Sequence, residues 1–342
     1  MTVSVLVPVY NAQDTLEDSL NSLLRQTYQD LEILCVDDAS DDDSWQILQR
    51  FAVDPRIVTI RLDENMGQAH ARNVALSHAR GELIAFLDSD DSLSEDAIER
   101  SVEVFQRYSK TGCVLLKVIN CLPDGHQEDY PMKPFESISG YEAFVKSLTW
   151  EIHGWYIART ELYRKYPFDE TCKAYSDDNT TRLHFFHSQE VRTCEGIYFY
   201  RLNPSSVTHA PSLRRFDYLR ANESMKRQLI DLKVSEEILD KYENVRWRVL
   251  VDCYMFYYKN RRGMSPHDAE KAIREIRRVW QNIELSRVDS SLKYSFGYFP
   301  FRPTQVDTNT DMKRSCFLRI CWFLFRLEEE TYFFMRELLK GY

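Results

Sequence analysis

Continuous apolar runs alternate with stretches of helical period through the first hundred residues. "VSVLVPVY" (3–10), "LEILCVDD" (31–38), "RIVTIRL" (56–62) and "ELIAFLD" (82–88) are rich in β-branched and aliphatic residues, as strands buried on both faces are. Between the first two, Leu16, Leu20, Leu23 and Leu24 fall on one helix face. "DDDSWQILQRF" begins with acids suited to a helix N-terminus. "GQAHARNVALSHARG" predicts a helix closed by Gly81 at the C′ position, and "SEDAIERSVEVFQRY" a helix capped by Ser94. Such repeated strand–helix units predict right-handed crossovers, hence an α/β fold with a mainly parallel, Rossmann-like central sheet flanked by helices.

From 110 to 210 the pattern is mixed. "CVLLKVINCL" reads as a strand and "EVRTCEGIYFYRL" as one long strand or a pair, whereas "SGYEAFVKSL" and "DDNTTRLHFFHS" read as helices. Beyond about residue 212 the periodicity is helical with few strand signals. A boundary near 210 therefore separates an α/β domain, 1–210, from a helical C-terminal region, 211–342. Ligands of open α/β sheets bind beyond the carboxyl ends of the strands. The polar clusters "PVYN", "VDDASDDD" and "LDSDD" all sit at such ends, which puts Tyr10, Asp37, Asp38, Asp88 and Asp90 on one rim.

Charge and cysteine content narrow the choice. A formal net charge of −9 opposes a nucleic-acid partner, which wants a basic face. The eight cysteines form no C-x-x-C pair and no zinc-ligand spacing, so they read as buried thiols of a cytoplasmic protein. Met1 leads straight into a strand without a basic leader region, and no run reaches the roughly 18 apolar residues of a membrane span.

"LIAFLDSDDS" (83–92) carries the chemistry. An apolar strand ends in Asp88, Asp90 and Asp91, and a neighbouring strand ends in Asp37 and Asp38. Carboxylates this close repel one another. Hard oxygen donors with open positions suit Mg2+ or Mn2+, with phosphate and water completing the shell. Asp91 has the simpler reading of starting the next helix.

The stretch from "VSVLVPVYNAQDTLEDSL" to "LEILCVDDASDDDSWQIL", followed by "DENMGQAHARNVALSHARGELIAFLDSDD", resembles the family-2 glycosyltransferases of GT-A fold, in motif order and spacing over residues 1–110. The resemblance implies a nucleotide-diphosphate-sugar donor, UDP being the expected nucleotide. It sets Pro8 and Tyr10 against the base, Asp38 in hydrogen-bond reach of the base, Asp88 near ribose and metal, and Asp90 on a Mn2+ or Mg2+ that bridges the diphosphate. "NMGQAHARN" matches a family element in which Gly67 lets the chain approach the donor; Arg72 is a further donor-side residue or a structural ion-pair partner. Inverting transfer needs a carboxylate base, and "AYSDDNTTRL" offers Asp177 and Asp178 where the family places it. Asp178 is the expected base, Asp177 an acceptor-side neighbour. His209 matches a late element that reaches the metal, and Trp155 an aromatic of the acceptor region; a surface loop and a core position are the plainer readings. A glycan or lipid-linked glycan is the expected acceptor.

His184 and His187 are a structural pair on one helix face. The segment 313–342 is dense in aromatics with interspersed Lys and Arg, which fits a helix lying in a membrane interface at the inner face of the plasma membrane, one packed on the catalytic domain, or a homodimer contact. Glu328, Glu329 and Glu330 oppose anionic lipid. A sugar-1-phosphate nucleotidyltransferase would need a Gly-rich basic loop after the first strand, and a nicotinamide oxidoreductase a G-x-G-x-x-G; neither is present. A catalytically inactive nucleotide-sugar-binding protein of the same fold is the remaining alternative.

Overall fold

The computed structural model describes residues 1–172, 177–202, 213–301 and 311–340, with backbone alone at 311–316 and 339–340. The chain divides into two compact units, Met1–Ala210 and Pro211–Tyr342.

The first unit runs β1 (Val3–Val9), α1 (Leu16–Leu24), β2 (Leu31–Asp37), α2 (Ser44–Phe51), β3 (Ile57–Arg61), α3 (Gln68–His78), β4 (Leu83–Phe86), β5 (Ser92–Leu93), α4 (Ala97–Arg107), β6 (Thr111–Cys121), β7 (Gln127–Asp129), β8 (Ser137–Ser139), α5 (Gly140–Ser147), β9 (Tyr156–Arg159), α6 (Thr160–Lys165), α7 (Asp177–His187) and β10 (Glu190–Arg201). The sheet order is β3-β2-β1-β4-β9-β6-β10-β5, with β7 on β6 and β8 on β10. β1, β2, β3 and β4 are mutually parallel. β9 is antiparallel to both β4 and β6, so the sheet is mixed beyond the first four strands. Every residue of β1 and β2 is buried, as their unbroken apolar runs require. Leu16, Leu20 and Leu23 of α1 join Val5, Val7, Ile33 and Cys35 in the core.

Two helix ends differ from the sequence expectation. α3 stops at His78 with an extended Ala79, so Gly81 is no C′ residue. Gly81 is needed for space: a Cβ there would lie 2.6 Å from Ser4 Oγ and 2.8 Å from the Thr2 carbonyl. α4 starts after Asp96, not Ser94, because Ser94 is drawn away to β10. Its carbonyl stays with the Ala97 amide, while its amide donates to the Ile197 carbonyl and its hydroxyl accepts from the Ile197 amide. The "EVRTCEGIYFYRL" segment is one strand, β10, with a register shift between Thr193 and Ile197.

The second unit holds a short 3-10 turn at Leu213–Phe216 and then α8 (Asp217–Asp231), α9 (Glu236–Asn260), α10 (Pro266–Asn282), α11 (Ser290–Lys293) and α12 (Asp311–Lys340). Its core is aromatic: Trp247, Tyr254, Trp280, Phe325 and Phe333 are buried. On α12 the acidic run turns inward. Glu328 accepts from the Gly297 amide, Glu330 from the Tyr254 hydroxyl, and Glu329 is fully buried with neither carboxyl oxygen paired among the described residues. The outer face of α12 shows Phe317, Ile320, Phe323, Leu324, Leu327, Phe334 and Leu338 to solvent. Among the described residues, no helix is long and apolar enough to cross a membrane.

Burial, then the charges of Glu328 and Asp252, pushes the Glu329 carboxyl up to about 10 from an ordinary 4.5. A raised acid favours the fold fully below its unfolded value and loses that contribution as pH climbs toward the folded one. Glu329→Gln keeps the shape without the ionisation cost. It should leave the stability of the helical unit nearly unchanged at pH 5 and raise it by a few kcal/mol at pH 8, at most about 1.4 kcal/mol per pH unit. Calorimetric melting at the two pH values checks this; a pH-independent difference would contradict it.

Candidate active site

The rim at the carboxyl ends of β1, β2 and β4 is stitched together by side chains reaching across loops. Asn11 and Ala39 both adopt left-handed backbone, φ +49° and +59°, just after β1 and β2. Asn11 accepts from the Asp41 amide (3.0 Å) through its Oδ1, and its own amide donates to Ser40 Oγ (3.1 Å). Pro8 lies in buried β1, and Tyr10 follows it at 42% exposed, open on the rim. Asp37 is fully buried at the end of β2, its Oδ2 3.2 Å from Arg61.

Asp38 is buried and holds the next loop. Its Oδ1 accepts from the Met66 amide and its Oδ2 from the Gly67 amide, both at 2.8 Å. Gly67, at φ +99°, supplies a backbone that other residues adopt only with strain and starts α3. Asp38 therefore already orders the "NMG" loop; any contact with a nucleotide base would use its remaining lone pairs.

The three acids of the 88–91 turn have separate surroundings. Asp88 Oδ1 accepts from Arg72 (2.6 Å) and from Gln68 (2.7 Å), both on α3. Asp91 is buried; its Oδ2 accepts from the Tyr198 hydroxyl (2.8 Å) and its Oδ1 from the Arg201 amide (2.7 Å). Asp91 thus fastens β10 to the turn, a larger part than starting a helix. Asp90 lies between them, half-buried, and among the described residues no other residue hydrogen-bonds its carboxylate. Burial, then the charge of Asp88, pushes its carboxyl up to about 6. Burial, then Asp88 and Asp90, raises Asp91 also. A divalent cation would reverse that cost.

Arg72 is 1% exposed and faces Asp88 rather than the open cleft. Its other nitrogen lies 3.8 Å from Asp177 Oδ2, and its guanidinium stacks over Phe86 and Phe168, 4.6 and 5.3 Å from the ring centres. It is a buried strut between the acidic turn and the start of α7. Asp177 is half exposed; desolvation, then Asp178, raises its carboxyl against the pull of Arg72, and solvent at its open side tempers the shift.

Asp178 is held differently. The Trp150 indole donates to its Oδ2 at 3.0 Å, and Arg182 lies 3.7 Å from the same oxygen. Trp150 itself has φ +56°. A bulky side chain in that region is strained by about 1 kcal/mol or more, and such strain collects at functional sites. Nothing in the spacing of "LTWEIHGW" marks this residue. Trp155 is half-buried in an aromatic group with Tyr130, His153, Tyr198 and Tyr200, at centroid distances of 5.8, 5.5, 5.6 and 5.0 Å. His184 is a core residue: its ring contacts the Tyr156 hydroxyl and the Tyr166 carbonyl, both at 2.7 Å, and burial brings it down to about 4. His187 stacks on Tyr166. His209 lies outside the described residues.

A mixed sheet whose first four strands are parallel, with an acidic turn at its carboxyl edge, is the GT-A fold. Residues 4–171 match the model of glycosyl transferase family 2. The chain is 44% identical over 108 residues to a putative teichuronic acid biosynthesis glycosyltransferase, TuaG, of Bacillus subtilis, an alignment covering 31% of this chain and 43% of that protein. It is 46% identical over 89 residues to WfaP of Escherichia coli, described as a UDP-Glc:alpha-D-GlcNAc-diphosphoundecaprenol beta-1,3-glucosyltransferase, over 26% of this chain and 35% of that one. The chain thus spans well under half the length of these curated relatives. The crystal structure of S. aureus TarS 1-349 in complex with UDP-GlcNAc shares the fold, with TM-score 0.72, 19% identity, and coverage of 97% of this chain and 91% of that one.

Arg72→Met would keep the buried stem and remove the charge. Two carboxylates lose their common partner, so the first unit should be destabilised by about 2–3 kcal/mol, at or below the low end of the range for breaking a fully buried pair because Asp88 and Asp177 keep some solvent. An unchanged denaturation midpoint would contradict the strut role.

Proposed function

We propose that the first unit transfers a sugar from a UDP-sugar to a hydroxyl of a glycan or lipid-linked glycan, with inversion at the anomeric carbon. One observation carries the reading: of the three acids in the 88–91 turn, two are committed to protein partners and Asp90 is left for a ligand. The family match and the UDP-sugar chemistry in the relatives' names support the donor class.

Asp90 would hold Mn2+ or Mg2+, to which its carboxylate offers the hard oxygen donor these ions take. When bound, the ion supplies Lewis-acid stabilisation of the departing diphosphate. Asp88 directs Oδ2, clear of Arg72 and Gln68, toward ribose or metal. Tyr10 offers its exposed ring to the base beside Pro8, Asp38 keeps the Gly67 loop in place, and His209 is the further metal-side residue. Asp178 takes the proton of the acceptor hydroxyl: the Trp150 indole holds Oδ2, and among the described residues none hydrogen-bonds Oδ1, which receives the proton. Asp177, tied to Arg72, orients the start of α7. The Trp155 group provides an aromatic face against which a sugar ring can stack.

Contact of α12 with a membrane carrying the acceptor gains support from its outward apolar row and from the inward turn of Glu328, Glu329 and Glu330, which removes their objection to anionic lipid. The same row would serve a homodimer.

Asp178→Asn should lower transfer by a factor of about 100 to 10,000 while UDP binding, read by calorimetry with Mn2+, is retained. Undiminished turnover would rule out Asp178 as base. UDP binding indifferent to Mn2+ would rule out the metal role of Asp90.

A further inference from the structure

The acidic turn is held from two sides by groups that need not touch the donor. From α1, Ser19 Oγ donates to the Asp88 carbonyl (3.2 Å); from the loop before it, Thr15 Oγ1 donates to the Ser89 carbonyl (2.9 Å). From β10, the Tyr198 hydroxyl donates to Asp91 Oδ2 at 2.8 Å and accepts the Asp88 amide at 3.3 Å. The Asp91 amide closes the turn onto the Asp88 carbonyl at 3.1 Å. One phenol oxygen therefore touches both ends of the turn whose middle is Asp90.

The register of β10 makes this possible. Tyr198 pairs opposite Leu93 of β5, two residues beyond the turn, so strand pairing sets the height of the phenol. Tyr198 is 1% exposed and Asp91 2%, so neither finds water as a substitute partner. The ring of Tyr198 also packs on Trp155, 5.6 Å between centroids at 40°.

We infer that Tyr198 is a positioning residue for the donor site: its hydroxyl, through Asp91 and the Asp88 amide, fixes the turn so that Asp90 is presented to the metal and diphosphate. The inference rests on the metal reading of Asp90. It gives the buried tyrosine a task beyond packing, which its ring alone would perform. Groups that orient a ligand without touching the metal commonly cost tenfold or more in affinity when removed.

Tyr198→Phe in the full chain separates hydroxyl from ring. Calorimetric titration of UDP, with and without saturating Mn2+, should show wild-type binding strengthened by the metal. The variant should bind UDP about tenfold more weakly with Mn2+ and unchanged without it. Metal-supported binding equal to wild type would overturn the inference, and so would equal weakening under both conditions, which marks a general packing defect. Should Tyr198→Phe fail to melt cooperatively, Asp91→Asn takes its place. It keeps volume and an acceptor for the Arg201 amide but turns the phenol contact round, its Nδ2 donating to the phenol oxygen in competition with the Asp88 amide, so it must show the same selective loss; normal binding or loss of fold there also would overturn the inference. Wild-type binding indifferent to Mn2+ is a different result, because it removes the metal reading itself.

Discussion

Crowded negative charge at the end of β4 is the constraint on which the site depends. Asp88, Asp90 and Asp91 lie within four positions of a turn at the edge of a buried sheet, where their mutual repulsion is poorly screened. The fold meets this by giving each acid a different environment. Asp88 is paired with a buried guanidinium, Asp91 is hydrogen-bonded into β10, and the Asp90 carboxylate takes no hydrogen bond from any other of the described residues. Burial, then the charge of Asp88, raises the Asp90 carboxyl, a cost that a cation beside it would offset.

The same device links the two halves of the cleft. Arg72 contacts Asp88 on one side and Asp177 on the other, so the donor-side turn and the start of α7 share a buried charge. Phe86 and Phe168, edge-to-face with each other, both lie against its guanidinium and help keep water from the two contacts. Beyond Asp177, Trp150 accepts an unfavourable backbone to hold Asp178. The acidic turn and the two acids that open α7 are thereby set on a buried frame rather than on side chains free to search.

Much of the frame was legible in the sequence. Unbroken apolar runs mark strands buried on both faces, and the carboxyl-edge rule brings Tyr10, Asp38 and Asp88 to one rim without any knowledge of side-chain contacts. The mixed part of the sheet was not legible, because β9 is only four residues long and its direction is set by partners on either side. Helix ends were misplaced where tertiary contacts prevailed: Gly81 serves close packing on β1, and Ser94 is held by β10. Within the site, residue types announced the acids but not their division of labour. That Asp38 holds the Gly67 loop, that Arg72 lies beneath Asp88, and that Asp91 meets Tyr198 more than a hundred positions away follow from register and burial, which no local spacing encodes.

The account's central claim is that this division of the acids is what makes a donor site. A crystal structure of the protein with UDP and Mg2+ tests it most directly. The account predicts an Asp90 oxygen about 2.1 Å from the metal, with Asp91 still on Tyr198 and Asp88 still on Arg72. A metal held by Asp91, or Asp88 released from Arg72 to bind it while Asp90 points elsewhere, would contradict it.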